Sequence, residues 1–225
     1  MKIVTILAFL AATGMTAASA DVLFYGGDFD NVNGLKSQHD AKVDARVYED
    51  FSLGEDSLIT GIFGTFYTLY TTEPVSAYFE VRSGIKAGNG GTLLASGKFD
   101  VHGTQIGGGI GFPVWKLSGK LAAPFELPSG DYFFTMAMVG GPDGPAYFLA
   151  TTSGDNGVGG PIHNGNTFYD STTFGYNFID VQDFFGPGIW DFSVGLEGHA
   201  VPEPAATLLI LTGVGMLLLR NLRRR

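Results

Sequence analysis

The chain has 225 residues, 34 of them glycine and none cysteine, and a formal net charge of −9 from 13 basic and 22 acidic residues. The missing thiols exclude a disulfide framework, a thiolate zinc site and a cysteine nucleophile. The acidic balance argues against a nucleic-acid partner, because phosphate contacts need a basic surface.

Met1 and Lys2 form a short positive region, Ile3 to Ala12 (IVTILAFLAA) is apolar, and Ala18-Ser19-Ala20 supplies small residues. That order reads as a secretory signal over residues 1–20, cut by signal peptidase after Ala20, so that the mature chain begins at Asp21. A buried N-terminal helix is the alternative, and the order of the three parts argues against it.

Val22–Tyr25 is a short strand candidate, and Gly26–Gly34 (GGDFDNVNG) reads as a turn-rich loop. Val43 to Phe51 (VDARVYEDF) alternates with a period of two, with Val43, Ala45, Val47 and Glu49 on one face and Asp44, Arg46 and Tyr48 on the other. Leu58 to Tyr70 is a longer aromatic strand whose glycines mark bulges. Ser76 to Arg82 alternates, Ala87–Gly91 (AGNGG) is a hairpin turn, and Thr92–Val101 is the return strand. The stretch around Val114–Lys116 is weaker. Pro128-Ser129-Gly130 turns into the strand Asp131–Val139, and Tyr147–Thr151 is another. Gly154–Thr172 reads as loop, and Phe174–Ile179 and Ile189–Leu196 close the series. No stretch between 21 and 200 carries a helical apolar stripe. Glycine-rich turns and 13% aromatic residues fit the same picture. The expected fold is all-β, a jelly-roll or lectin-like β-sandwich over residues 21–200.

The end of the chain differs in kind. Pro202-Glu203-Pro204 precedes an uncharged, mostly apolar run, Ala205–Leu219, and then Arg220, Arg223, Arg224 and Arg225. As a helix that run reaches about 22 Å at 1.5 Å per residue, short of the ~30 Å hydrocarbon core. It spans only by thinning the bilayer or drawing in its flanks. The arginines form a cytoplasmic stop and leave the rest of the chain outside. The prolines keep the preceding backbone extended, a form that a protease can bind. Residues 201–225 therefore read as a temporary anchor held for cutting. A plain single-span anchor is the alternative.

Pro202-Glu203-Pro204, the Ala205–Leu219 span and the arginine end together resemble the PEP-CTERM sorting signal of Gram-negative bacteria. The resemblance covers about the last 25 residues. It implies processing by an exosortase, an integral-membrane cysteine protease, a transient stay in the inner membrane, and delivery to the cell surface or an extracellular matrix rich in exopolysaccharide. The pieces ARVYEDFSL, LPSGDYFF and WDFSVGLEG also resemble segments of lectin-like sandwich domains carried by other proteins with such a tail.

Lys2 belongs to the leader, and four arginines and Glu203 belong to the tail. The exported part therefore keeps 8 basic and 21 acidic residues, for a net charge of −13. Such a surface favours solubility outside the cell and repels an anionic polysaccharide unless cations bridge the two.

Catalytic motifs such as G-x-S-x-G and H-E-x-x-H are missing, and His39, His102, His163 and His199 are scattered. Asp180 and Asp183 are close enough in sequence to suggest a glycosidase pair, but an acidic chain offers many such pairs by chance. Asp28, Asp30 and Asn33 crowd one loop with Asn31 and suggest Ca2+. Val32 and His39 occupy the fifth and twelfth positions counted from Asp28, which rules out an EF-hand, and ordinary turn chemistry is the preferred reading. No cofactor is expected otherwise. For sugar stacking, Trp115, Phe184 and Phe185 are the surface candidates, with Tyr169 and Tyr176 behind them. Trp190 reads as core by its alternation with Phe192 and Val194.

These readings lead to an expected exported, non-enzymatic surface or matrix protein that binds exopolysaccharide. A secreted polysaccharide hydrolase or lyase, and a passive structural matrix protein, are the alternatives.

Overall fold

The computed structural model describes residues 20–69, 74–109, 111–140, 146–186 and 190–201. Ala18 and the rest of the expected leader up to Ser19 lie outside the described residues. So do Pro202, Glu203, Pro204, the Ala205–Leu219 run and the arginines Arg220, Arg223, Arg224 and Arg225. Among the described residues no helix is long and apolar enough to cross a membrane.

The described chain is nearly all strand. Fifteen strands are β1 (Asp21–Tyr25), β2 (Phe29–Lys36), β3 (Gln38–His39), β4 (Asp44–Leu53), β5 (Ser57–Thr68), β6 (Ser76–Ser83), β7 (Thr92–Asp100), β8 (His102–Gly109), β9 (Phe112–Leu127), β10 (Gly130–Met138), β11 (Tyr147–Thr152), β12 (Phe168–Ser171), β13 (Tyr176–Asp180), β14 (Asp191–Phe192) and β15 (Val194–Ala200). One short helix, α1 (Val181–Phe185), follows β13.

The strands form two sheets. In the first, β5 is central. It carries β9 and then β8 along one edge, and β15 and then β1 along the other. Near its C-terminal end β5 pairs instead with β11, which in turn holds β2 and β14. Ser193 is the wedge at which β15 gives way to β11. Its carbonyl accepts from Thr65 N and its amide donates to Ala150 O, both at 2.8 Å. The second sheet runs β13, β12, β4, β10, β6, β7, with β3 inserted between β4 and β10 at one end.

Side-chain alternation explains why these two layers face each other. Along β4, Ala45, Val47, Phe51 and Leu53 are buried in the shared core, while Arg46 and Tyr48 stand on the outer face of the second sheet. Phe24 of the first sheet meets Phe51 and Phe134 of the second, each with ring centroids 5.9 Å apart. Ile59, Ile62, Phe66, Leu117 and Leu196 complete the first sheet's inner face. Burying each such side chain stabilises the fold by about 1.5–3 kcal/mol, and offset or edge-to-face ring pairs add to that. The fold is thus a two-layer β-sandwich. Its first strand begins at Asp21, and β15 ends at Ala200.

Several sequence expectations need correction. Phe29–Gly34 is part of the edge strand β2 and not a loop; its outward polar side chains and the positive φ of Asn31 (61°) hid the pairing with β11. Around Val114–Lys116 runs the longest strand, β9, with Lys116, Ser118 and Lys120 flanking the inward Leu117 and Leu121. Trp115, expected at the surface, is 8% exposed and belongs to the core cluster. Val181–Phe185 is a helix that no apolar stripe announced, because five residues are too few to show one.

Candidate functional site

The candidate surface is built around α1. Asp180 is its N-cap, and its carboxylate accepts from Gln182 N at 2.9 Å and Asp183 N at 3.4 Å, which satisfies amides that a helix start leaves open. The Asp180–Asp183 pair therefore begins a helix, with Asp180 committed to capping. Val181 is buried, and its amide donates to Thr167 O at 3.1 Å. This anchoring turns Phe184 and Phe185 outward, 52% and 38% exposed.

The two rings sit in a cluster. Phe184 and Phe185 pack edge to face at 5.1 Å, Tyr176 meets Phe184 at 4.7 Å, and Phe185 touches Tyr169 at 5.9 Å and Trp190 at 6.0 Å. Tyr169 is buried and packs in the core, so it roots the patch in the sandwich. Trp190, expected in the core, is half-buried against it and donates from Nε1 to Gly186 O at 3.3 Å. Phe184 and Phe185 are therefore brought together, whereas Trp115 lies in the core on β9 with its Nε1 buried and unpartnered.

Beside α1 runs loop 161–167, which is held from below by three carboxylates. Asn164 and Asn166 donate their side-chain amides to Asp50 Oδ2 at 2.9 and 2.7 Å. Gly165 N donates to Asp191 Oδ1 at 2.8 Å, and Thr167 Oγ1 donates to Glu49 Oε2 at 3.2 Å. Gly165 is required there: its φ is +69°, and a Cβ would sit 1.6 Å from Gln182 Nε2. Gln182 in turn donates to Gly165 O at 2.7 Å, which ties the loop to α1. Glu49 also accepts the Phe192 amide at 3.1 Å.

Glu49 is 1% exposed, Asp50 6% and Asp191 0%. Burial, with Asp191 and Asp50 beside it, pushes the Glu49 carboxyl well above the usual range, and the bonds from Thr167 and Phe192 offset this only in part. Burial likewise raises Asp50 against the bonds from Asn164 and Asn166. Asp191 is raised by burial against the loop amides and the charge of His163. Asp50 Oδ1 and Asp191 Oδ2 are buried without a hydrogen-bond partner. Only Glu49's place in an alternating strand hinted at this group, and its partners could not be read from the sequence.

The outer face of the second sheet carries a different carboxylate. Glu80 accepts from Arg46 Nη1 and Arg82 Nε, both at 2.6 Å, and from the hydroxyls of Tyr48 and Tyr78, both at 2.8 Å. Burial opposes its charge, but Arg82, Arg46 and the two phenols outweigh it and hold the carboxyl below its usual value. On the outer face of the first sheet a groove of about 520 Å³ is lined by Tyr25, Phe63, Lys116, Glu197, Val22 and Val158. Phe63 lies over Gly195, where a Cβ would come within 2.3 Å of its ring. Burial pushes the Tyr25 phenol up to about 12.

The Asp28 region spends its oxygens on the chain itself. Asp28 accepts from Tyr25 OH and Asn156 Nδ2, both at 2.7 Å. Asp30 Oδ1 accepts from Val32 N and Thr151 Oγ1, and Asn33 Oδ1 accepts from Gly34 N. Among the described residues no group of three His, Asp or Glu side chains is placed to hold a metal ion. Of the histidines, His39 bonds Asp44 Oδ1 at 2.8 Å and stacks on Tyr78.

Comparison with protein-family models and with characterised proteins gives no match. The functional reading therefore rests on the arrangement of the side chains.

Proposed function

We propose that this chain is an exported, non-enzymatic protein of the cell surface or extracellular matrix that binds polysaccharide through the aromatic patch on α1, on a sandwich of the jelly-roll, lectin-like kind. The observation that carries the reading is the pair Phe184 and Phe185, half exposed and fixed from behind by Tyr169, Tyr176 and Trp190. Exposed aromatic surface costs solubility and is kept where it meets a partner. Pyranose rings offer flat C–H faces that pack on such rings, and Asp183 stands next to them for hydroxyl contacts. The start of the sandwich at Asp21, directly after the expected signal, supports export, as does its end next to the expected sorting tail.

The test is calorimetric titration of the purified full chain with soluble dextran, xylan and alginate, with Ca2+ or with EDTA. Saturable heat without released sugar, lost in Phe184→Ala, is the expected result. Reducing ends or unsaturated products overturn it in favour of a hydrolase or lyase. Absence of heat with every polymer overturns it in favour of a passive structural protein.

A further inference from the structure

Glu49, Asp50 and Asp191 are three buried carboxyl groups held by one loop, and none is paired with lysine or arginine. Arg46 and Arg82, the nearest basic residues along these strands, are committed to Glu80, Asp44 and Asp170. Three neighbouring carboxylates cannot all stay ionised away from water without a counter-charge, so protons must remain on the group. The titratable groups that face it come from several elements. Glu49 and Asp50 belong to β4, Asp191 to β14 and His163 to the loop, while Asp131 and Tyr132 of β10 share a pocket of about 290 Å³ with Asp50. His163 favours the ionised form of Asp191 alone, and Asp131 adds no positive charge.

We infer that Glu49, Asp50 and Asp191 form a proton-loaded clasp that fastens loop 163–167 and, through it, holds α1 and its aromatic patch in place. The coupling is direct. Gly165 is bonded to Asp191 on one side and to Gln182 of α1 on the other. Thr167 is bonded to Glu49, to the Trp190 carbonyl at 2.6 Å, and through its own carbonyl to Val181 N. Losing protons as the pH rises puts mutually repelling charges under the loop, and the patch loosens with it. The clasp is a regulation of the site in Proposed function and rests on that reading for its purpose, though not for its existence.

Hydrogen exchange tests the clasp on the full chain without any polysaccharide. The Gly165, Val181 and Phe192 amides are followed from about pH 5.5 to about pH 8, after correction for intrinsic exchange. The expected result is protection that falls about tenfold or more across this range, with amides of β5 unchanged. Glu49→Gln and Asp191→Asn, which keep an acceptor but cannot ionise, are expected to retain protection at the higher pH. Protection that is independent of pH in the wild-type chain overturns the clasp even if the variants fail to fold. So does recovery of protection at pH 8 on adding Ca2+ alone, since a cation and not a proton then balances the group. Dextran and xylan binding is measured separately at both pH values. A pH-dependent loop with no binding keeps the clasp and removes the polysaccharide reading, and binding with a pH-independent loop does the reverse.

Discussion

Glu49 of β4 accepts the backbone amide of Phe192 at 3.1 Å, so a carboxyl of one sheet fastens a strand of the other across 143 positions of sequence. The same oxygen takes the Thr167 hydroxyl. A polar side chain thus occupies an inward position of a strand whose other inward residues are apolar, and it is tolerated because it is hydrogen-bonded.

Removing that carboxyl is costly. Glu49→Ala leaves the Phe192 amide and the Thr167 hydroxyl without this acceptor, and each buried orphan costs about 1–3 kcal/mol. Urea unfolding at about pH 5.5 is expected to show a loss of about 2–4 kcal/mol, with Glu49→Gln losing less than half of it. Equal losses in both variants contradict the assigned acceptor role.

Stability is expected to peak in mild acid. Glu49, Asp50 and Asp191 are raised in the folded state, so it holds more protons than the unfolded chain. Their contribution is complete below the ordinary carboxylate range near about pH 4 and is lost as pH rises through the folded values. Glu80 is lowered, so its contribution is present above the ordinary range and disappears as pH falls through its folded value. Melting temperatures between about pH 3 and pH 9 check both limbs. Glu80→Gln should flatten the acid limb only, and a curve still rising from pH 6 to pH 8 contradicts the alkaline one.

Phe184 and Trp115 should separate binding from folding. Phe184 is half exposed, so Phe184→Ala is expected to change stability by less than about 1 kcal/mol while abolishing polysaccharide binding. Trp115 is buried, and Trp115→Ala is expected to cost about 3–5 kcal/mol. Thermal melts and calorimetry on both variants give the comparison. A Phe184→Ala chain that binds as well as the parent moves the ligand off the patch.

Sorting is a separate matter from binding. Replacing Pro202, Glu203 and Pro204 with alanine is expected to keep the protein in the inner membrane, read by cell fractionation. Normal release of that variant removes the sorting role of the motif.

The strands that announced themselves are those with one apolar and one polar face. β4 and β6 could be read directly, since Val47 and Phe51, and Phe79 and Val81, point inward between polar neighbours. β2 and β8 are outer strands rich in glycine or polar residues, and their backbone pairing leaves little trace in side-chain pattern. Phe184 and Phe185 were recognisable as surface aromatics because they follow a turn and precede glycine and proline. The carboxyl clasp was not, because Asp50 and Asn164 are 114 positions apart and only topology brings them together. Trp115 misled because Lys116, Ser118 and Lys120 around it are polar on alternate positions, which is what a strand with one wet face shows.

The strand that leads out of the sandwich is an internal one. β15 is hydrogen-bonded to β1 on one side and to β5 on the other, with Gly198 opposite both Asp21 and Ile59. A mechanical load applied at Val201 is therefore shared by two ladders, and β15 cannot peel from a free edge. Severing the chain anywhere past Val201 removes none of these bonds, so the sandwich can hold tension while tethered and keep its shape once released.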